Sequence, residues 1–359
     1  MTGKERIDAV LAGRRPDRYP VGEDFWGETL ARWINEGHLV VGESPIDHFD
    51  LDLDRAGLVN CYTDPAWTPV VEREDEDTRY VRDGNGALLR QHKHHTSTPE
   101  HVAYRVTSRE DWLEQVKPNL LDFDERRIDF DAYRAAERSS RARGRHFSND
   151  AFGPFEIIHR LIGHEVFLLS MALDPEWVAD MVTTYCEFNI IHWEELFSRE
   201  GVPDGTWIAD DFGYKQKPFM SPAMFDELLK PGLRRMCDFL HARGCSVFLH
   251  SCGYIEPLLE SILDTGVDCL EGMEYKAGMD IERLASTFGT RVCWFGNMDV
   301  RVFESNDADR VRAEVDRVLS VAARERVGYI AHSDHSISPL VDYRTFADYL
   351  ARVREHPTG

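Results

Sequence analysis

No window of the 359-residue chain approaches the roughly 18 consecutive apolar residues that a membrane-spanning helix needs. Positive charge is also scarce. Forty-two Lys and Arg stand against 64 Asp and Glu, a formal net charge of −22. Such a surface repels polyphosphate backbones and anionic bilayers, so neither nucleic acid nor membrane is an expected partner. The opening MTGKERIDAVLAGRRPDRYP lacks the apolar stretch of a secretory signal and reads as an amphipathic helix before a Pro-bounded turn. Cysteines number seven (Cys61, Cys186, Cys237, Cys245, Cys252, Cys269 and Cys293). An odd, scattered set in a chain this large argues against a disulfide framework and for reduced thiols in a cytoplasm. There is no internal repeat, no low-complexity tract and no Gly-rich dinucleotide turn after the first strand.

What is present suits a soluble globular protein. Hydrophobic residues at 42% can build a sizeable core, and charged residues at 30% can cover it. From about residue 145 short apolar runs alternate with helical patterns. Counting RYPVG, GLVNC, RHFSND, GTWIAD, SVFLH, VDCLE, RVCWFGN and GYIAHS gives eight strand candidates. Helical periodicity is expected over 154–172, from Pro175 to about 199, and from Pro222, where Met224, Leu228, Leu229, Leu233, Met236 and Leu240 share a face. Eight βα units predict a single α/β domain over 1–359, a (β/α)8 TIM barrel with an N-terminal helical segment. An open doubly wound sheet is the alternative. Residues 63–125 read as an insertion, with a β-hairpin at 79–95 turning at Gly84, Asn85 and Gly86.

In such barrels the reacting groups sit at the C-terminal ends of the strands. Those ends are dense in chemistry: Glu23, Asp24 and Trp26; Asn149 and Asp150; Asp210 and Asp211; His250 and Cys252; Glu271 and Glu274; Asn297 and Asp299; His332, Asp334 and His335. His250 and Cys252 are two residues apart, so they share a face while the chain stays extended. Imidazole plus thiolate suits Zn2+, and AHSDHS on the last strand end offers a third ligand. A buried thiol beside a satisfied histidine is the bland reading of the pair. The HKHHTSTPEH tract reads as a solvated loop rather than a metal site. Trp26, Phe152 and Trp294 suit either a pocket or the core. The adjacent acids Asp210 and Asp211 suit either substrate contact or turn capping.

The block from DDFGYKQKPFMSP through HSCGYIEPLLESILDTGVDCLEGMEY, followed by WFGNMDV and GYIAHSDHSISP, resembles the uroporphyrinogen decarboxylase-like superfamily. That superfamily holds decarboxylases of haem biosynthesis and zinc-dependent corrinoid methyltransferases. The resemblance spans nearly the whole chain and implies a (β/α)8 barrel. The decarboxylases carry an Arg-rich, RQAGR-like first strand end that grips substrate carboxylates; PVGEDFWGE has no Arg and two acids there. The methyltransferase branch is the closer match. Its zinc site, a His-x-Cys pair with a distant Cys, maps onto His250 and Cys252, with His335 where the distant Cys would stand.

The resemblance thus implies Zn2+ on His250, Cys252 and His335, with Glu271 or Glu274 as a displaceable fourth ligand. Asp210, Asp211, Asp334 and Glu274 are the expected catalytic or orienting acids, and Glu23, Trp26, Asn149 and Asn297 the expected substrate contacts. It further implies zinc activating a thiol or another nucleophile for methyl transfer to or from a corrinoid or a small methylated compound. The partners would be a small-molecule substrate and a corrinoid protein, with a homodimer left open. The rivals are a metal-free decarboxylase or lyase using Asp210 or Asp211 as general acid, and a non-catalytic corrinoid- or tetrapyrrole-binding protein.

Overall fold

Seven parallel strands run side by side in chain order in the computed structural model, which describes residues 1–94 and 99–358. They are β1 (Leu53–Ala56), β6 (His146–Phe152), β7 (Gly205–Ala209), β8 (Ser246–Ser251), β9 (Cys269–Gly272), β10 (Cys293–Gly296) and β11 (Tyr329–Ile330). Parallel neighbours need a crossover, and helices such as Pro175–Glu200, Lys230–His241 and Ala308–Glu325 supply it. The two outer strands meet a common segment. Ala331 N–H donates to Pro20 O (2.8 Å) and Gly22 N–H to Ala331 O (3.1 Å), while Asp52 N–H, one residue before β1, donates to Val21 O (2.9 Å). The first expected strand, RYPVG, is this short bridging segment.

Side-chain alternation splits the core in two. Phe147, Ile208, Leu249, Leu270, Trp294 and Tyr329 join the large cluster between sheet and helices. Leu53, Trp207, Phe248, Cys269, Cys293, Phe295 and Ile330 form a second cluster on the inner face, where Ile7 of the helix Gly3–Leu11 closes its floor. Burying each such side chain contributes about 1.5–3 kcal/mol. All seven cysteines are free thiols.

Two expectations about elements change. The second strand is LDRA at 53–56, not GLVNC: Leu53–Ala56 pair in register with His146–Asn149, and the chain turns away at Gly57, whose φ is +81°. Its charged residues Asp54 and Arg55 masked it, because parallel strands usually read as apolar runs. The helix expected over 154–172 is two, Pro154–Ile162 and His164–Leu173, broken at Gly163 with φ +84°.

The hairpin is present. Strands β3 (Thr78–Arg82) and β4 (Leu88–His92) pair antiparallel between β2 (Val70–Glu74) and β5 (Glu100–Ala103) in a separate four-stranded sheet. Asp83 accepts the Asn85 and Ala87 N–H groups across the turn, and Gly86 takes φ +76°. Of the His-rich tract, His94 is exposed, while His95 lies outside the described residues.

Candidate metal centre and active site

His250 sits at the centre of the strand-end groups, in the cluster with Asp211 and Cys252. It lies near the end of β8, two residues beyond the inward Phe248, so it points into the same interior. Its Nδ1 is bonded to Glu271 Oε2 from the neighbouring β9, where His250 and Glu271 are register partners. The other nitrogen, Nε2, faces Cys252 Sγ at 3.3 Å and Asp211 Oδ1 at 3.4 Å. These three side chains offer donor atoms all within 4.8 Å of one another, and they are the sole group of metal-ligand spacing found among the described residues. Donors around a tetrahedral zinc sit about 3.3–3.6 Å apart, from bond lengths of about 2.0–2.3 Å. The donor types therefore suit such an ion, and His250 Nε2 stands at that spacing from both of its neighbours.

Two loops hold the cluster. Cys252 N–H donates to Asp211 Oδ1 (2.8 Å), and Phe212 N–H donates to Ser251 Oγ (3.0 Å). Gly213 and Gly253 pack backbone to backbone: a Cβ on Gly213 would lie 2.7 Å from the Gly253 carbonyl carbon, and Gly253 has φ +77°. Any side chain there would push the Cys252 loop away.

Glu271 is one rung of a buried ladder. Its Oε1 lies 3.6 Å from His332 Nδ1, and His332 Nε2 lies 3.7 Å from Glu23 Oε2. Glu23 also accepts from Ser333 N–H and Oγ (2.9 Å each) and from Tyr349 OH (2.7 Å). Burial by itself would raise the Glu271 carboxyl, but His250, His332 and Arg55 outweigh it and hold it at about 2. Burial likewise works against the charged form of His250, yet the adjoining Glu271 and Cys252 raise it well above the ordinary imidazole range. Glu23 is pushed up to about 6 by burial.

Below the ladder is a polar cavity of about 190 Å³, lined by Glu23, Asp24, Arg55, Asp150, Trp207 and His332 among others. Arg55 donates to Asp24 Oδ1 (2.6 Å), approaches Asp150 Oδ1 (3.7 Å) and lies 4.1 Å over the Trp207 ring. Burial pushes Asp150 up to about 6. Arg55 is a site residue that sequence reasoning missed, because its strand was placed at 57–61. Only the LDLDR alternation could have revealed it.

Several expected site residues hold backbone instead. Asp210 accepts the Glu156 N–H (2.7 Å) and caps the helix Pro154–Ile162. Asp334 accepts from Tyr275 N–H and Val300 N–H (2.9 Å each), so both oxygens are taken by loops. Asn297 accepts Ile281 N–H (3.0 Å) and donates to Met273 O (2.8 Å) and Met279 O. Asn149 pairs with Thr206 Oγ1 (2.6 Å) and is fully buried, one residue out of phase with the inward Ser148 and Asp150. Acids at strand ends were thus dense partly because helix starts and loops need capping.

The remaining expectations divide. Glu271 is the hydrogen-bond partner of His250 rather than a member of the ligand cluster, since Nδ1 holds it on the side away from Cys252. His335 is also outside the cluster; its ring stacks on Trp26 with centroids 6.0 Å apart. Burial, with Lys276 adding to it, lowers the His335 pKa. Glu274 lies 3.9 Å from Lys276 Nζ. Phe152 lines a cavity, whereas Trp294 is core.

The model for the uroporphyrinogen decarboxylase (URO-D) family matches residues 148–356, more than half of the chain and all of its cluster. The chain belongs to this family. Among solved structures, a methyltransferase from Methanosarcina mazei overlays with a TM-score of 0.68 at 18% identity, covering 99% of each chain. At that identity the likeness is one of fold. A domain described as a chitinase C-terminal domain from Desulfitobacterium hafniense overlays at TM-score 0.41 and 12% identity, over 65% of this chain and 84% of that one. The comparison with curated proteins gives no match. No helix among the described residues is long and apolar enough to cross a membrane.

Proposed function

We propose that this URO-D family member is a zinc-dependent methyltransferase-type enzyme built on a single (β/α)8 barrel, with residues 63–125 as an insertion. The segment 20–22, hydrogen-bonded to both outer strands, would serve as the eighth stave. The observation that carries the functional reading is the orientation of His250. Its Nδ1 is committed to Glu271, and its Nε2 is turned toward Cys252 and Asp211. A carboxylate behind an imidazole is the usual way to fix the tautomer and aim the opposite nitrogen at a metal. His250, Cys252 and Asp211 would hold the ion, leaving a fourth position open, as in catalytic zinc sites.

Zinc bound there would supply Lewis acidity, activating a thiol or another nucleophile at neutral pH for methyl transfer to or from a corrinoid or a small methylated compound. The chain's own residues do the rest. Glu271 holds the His250 proton at Nδ1, and His332 and Glu23 balance the buried charge behind it. Gly213 and Gly253 fix the Cys252 loop. The Glu274 charge acts on both Cys252 and His335. The first strand end supplies Glu23 and Asp24, so a substrate bearing many carboxylates is disfavoured there. The methyl carrier would be a corrinoid on a partner protein.

The second reading is a metal-free lyase with Asp211 as general acid: its carboxyl stands 3.4 Å from His250 Nε2 in a site where burial raises it. Metal analysis of protein purified without a His tag separates the two. The zinc reading expects about one equivalent, lost in His250→Ala, with methyl transfer from methylcobalamin to a thiol abolished by chelation. Less than about half an equivalent, unchanged by His250→Ala, overturns it.

A further inference from the structure

A large cavity lies between the four-stranded sheet and the helix Pro154–Ile162, with a volume of about 690 Å³. It falls within the range of about 300–1,000 Å³ usual for small-molecule pockets. Its walls are mainly apolar, including Leu58, Tyr62, Leu89, Tyr104, Phe152 and Ile157. Leu58 and Tyr62 are 45% and 40% exposed, so these large side chains present their faces to the opening.

The charged groups in the walls are already matched. Glu156 is paired with both Arg160 and His159, and the Arg160 guanidinium lies 4.4 Å over the Phe152 ring. The Asp83 carboxylate accepts two backbone N–H groups of its own turn. Rings lie flat against one another: His101 on Tyr104 with planes 7° apart, and His164 on His159 with centroids 4.1 Å apart. Burial lowers His101 and His164 to about 4, so both rings are neutral at pH 7. One wall is tied to the metal cluster through the chain: Glu156 N–H is held by Asp210, the residue before Asp211.

We propose that this cavity binds an uncharged, flat, mostly apolar molecule about the size of two fused rings, held between the inserted sheet and the barrel. Its use as the substrate site rests on the enzymatic reading above; the ligand class rests on the lining. Among the described lining residues an anion would find the Arg160 cation already paired with Glu156, and a cation would find Glu156 paired and Asp83 held by its own turn, so either would lose hydration for little return. The inserted sheet, which supplies Asp83, Asn85, Leu89 and His101, would then set specificity.

Isothermal titration of the full chain at pH 7 with 2-naphthol and 2-naphthoate tests this. Saturable one-site binding of 2-naphthol is expected, with 2-naphthoate at least about tenfold weaker. Leu58→Glu should weaken 2-naphthol at least about tenfold, while Leu173→Glu, at an 80% exposed position outside the cavity, should leave it unchanged. Cys252→Ala should lose zinc and keep 2-naphthol, so failure of the metal reading and failure of this one are separable. No saturable binding, equal affinity for the anion, or indifference to Leu58→Glu in a protein with unchanged circular dichroism would overturn the proposal.

Discussion

Zinc affinity should depend on Asp211 and be nearly indifferent to His335. The donor distances set the expectation. Asp211 Oδ1 is 3.4 Å from His250 Nε2, the spacing of two ligands on one tetrahedral ion, whereas the His335 ring is engaged with Trp26. Loss of a partner behind a metal ligand typically weakens binding about 10- to 100-fold, so loss of a ligand itself should exceed about 100-fold. That corresponds to at least about 2.7 kcal/mol. His335→Ala should change the affinity by less than about threefold, or roughly 0.7 kcal/mol. Competition with a chromophoric chelator, using Asp211→Ala and His335→Ala side by side, reads both numbers. Equal losses would refute the assignment and restore His335 as the third ligand. Co2+ substitution gives an independent check: a thiolate charge-transfer band should persist in His335→Ala and vanish in Cys252→Ala.

Three further outcomes are expected. Glu271→Gln should weaken zinc about 10- to 100-fold with little change in secondary structure, measured by the same competition, because it removes the charge behind His250 Nδ1. Gly213→Ala should lower zinc occupancy more than it lowers the unfolding midpoint, since the added methyl displaces the Cys252 loop while the core stays intact. Stability should also fall with acid because of His146, which burial lowers to about 4. The unfolded chain takes up that proton near pH 6.5 and the folded one does not. Stability is therefore complete above about pH 6.5 and declines toward pH 4, by up to about 3 kcal/mol. Urea unfolding at pH 7 and pH 4.5 should show a smaller decline in His146→Leu; an identical decline would reject the assignment.

Much of the architecture follows from local pattern. Alternating apolar runs and helical periods, with Gly and Pro at the junctions, specify β6 to β11 and the helices between them, because burial on both faces leaves strands few other choices. The His250–Cys252 pair is visible for the same reason: two residues apart on an extended chain means one face. The hairpin at Gly84–Gly86 is a short-range signal of turn chemistry. The second strand escaped because Arg55 and Asp54 break the apolar run, and their charges are tolerated only where Asp24, Asp150 and Arg145 converge on them.

Which strand-end group does what was decided only by the tertiary structure. Sequence places Asp210 and Asp211 side by side, but beyond the end of β7 one turns to a helix start and the other to His250. It offers Glu271 as a ligand, yet the register of β8 against β9 puts the carboxylate on Nδ1. His335 matches by position in a motif, whereas Trp26, more than 300 residues away in the chain, holds its ring. The large cavity is legible in no single stretch, since one wall comes from the four-stranded sheet and the other from a helix after β6. Spacing along a strand determines which face a side chain shares; only packing between distant segments determines which partner it meets there.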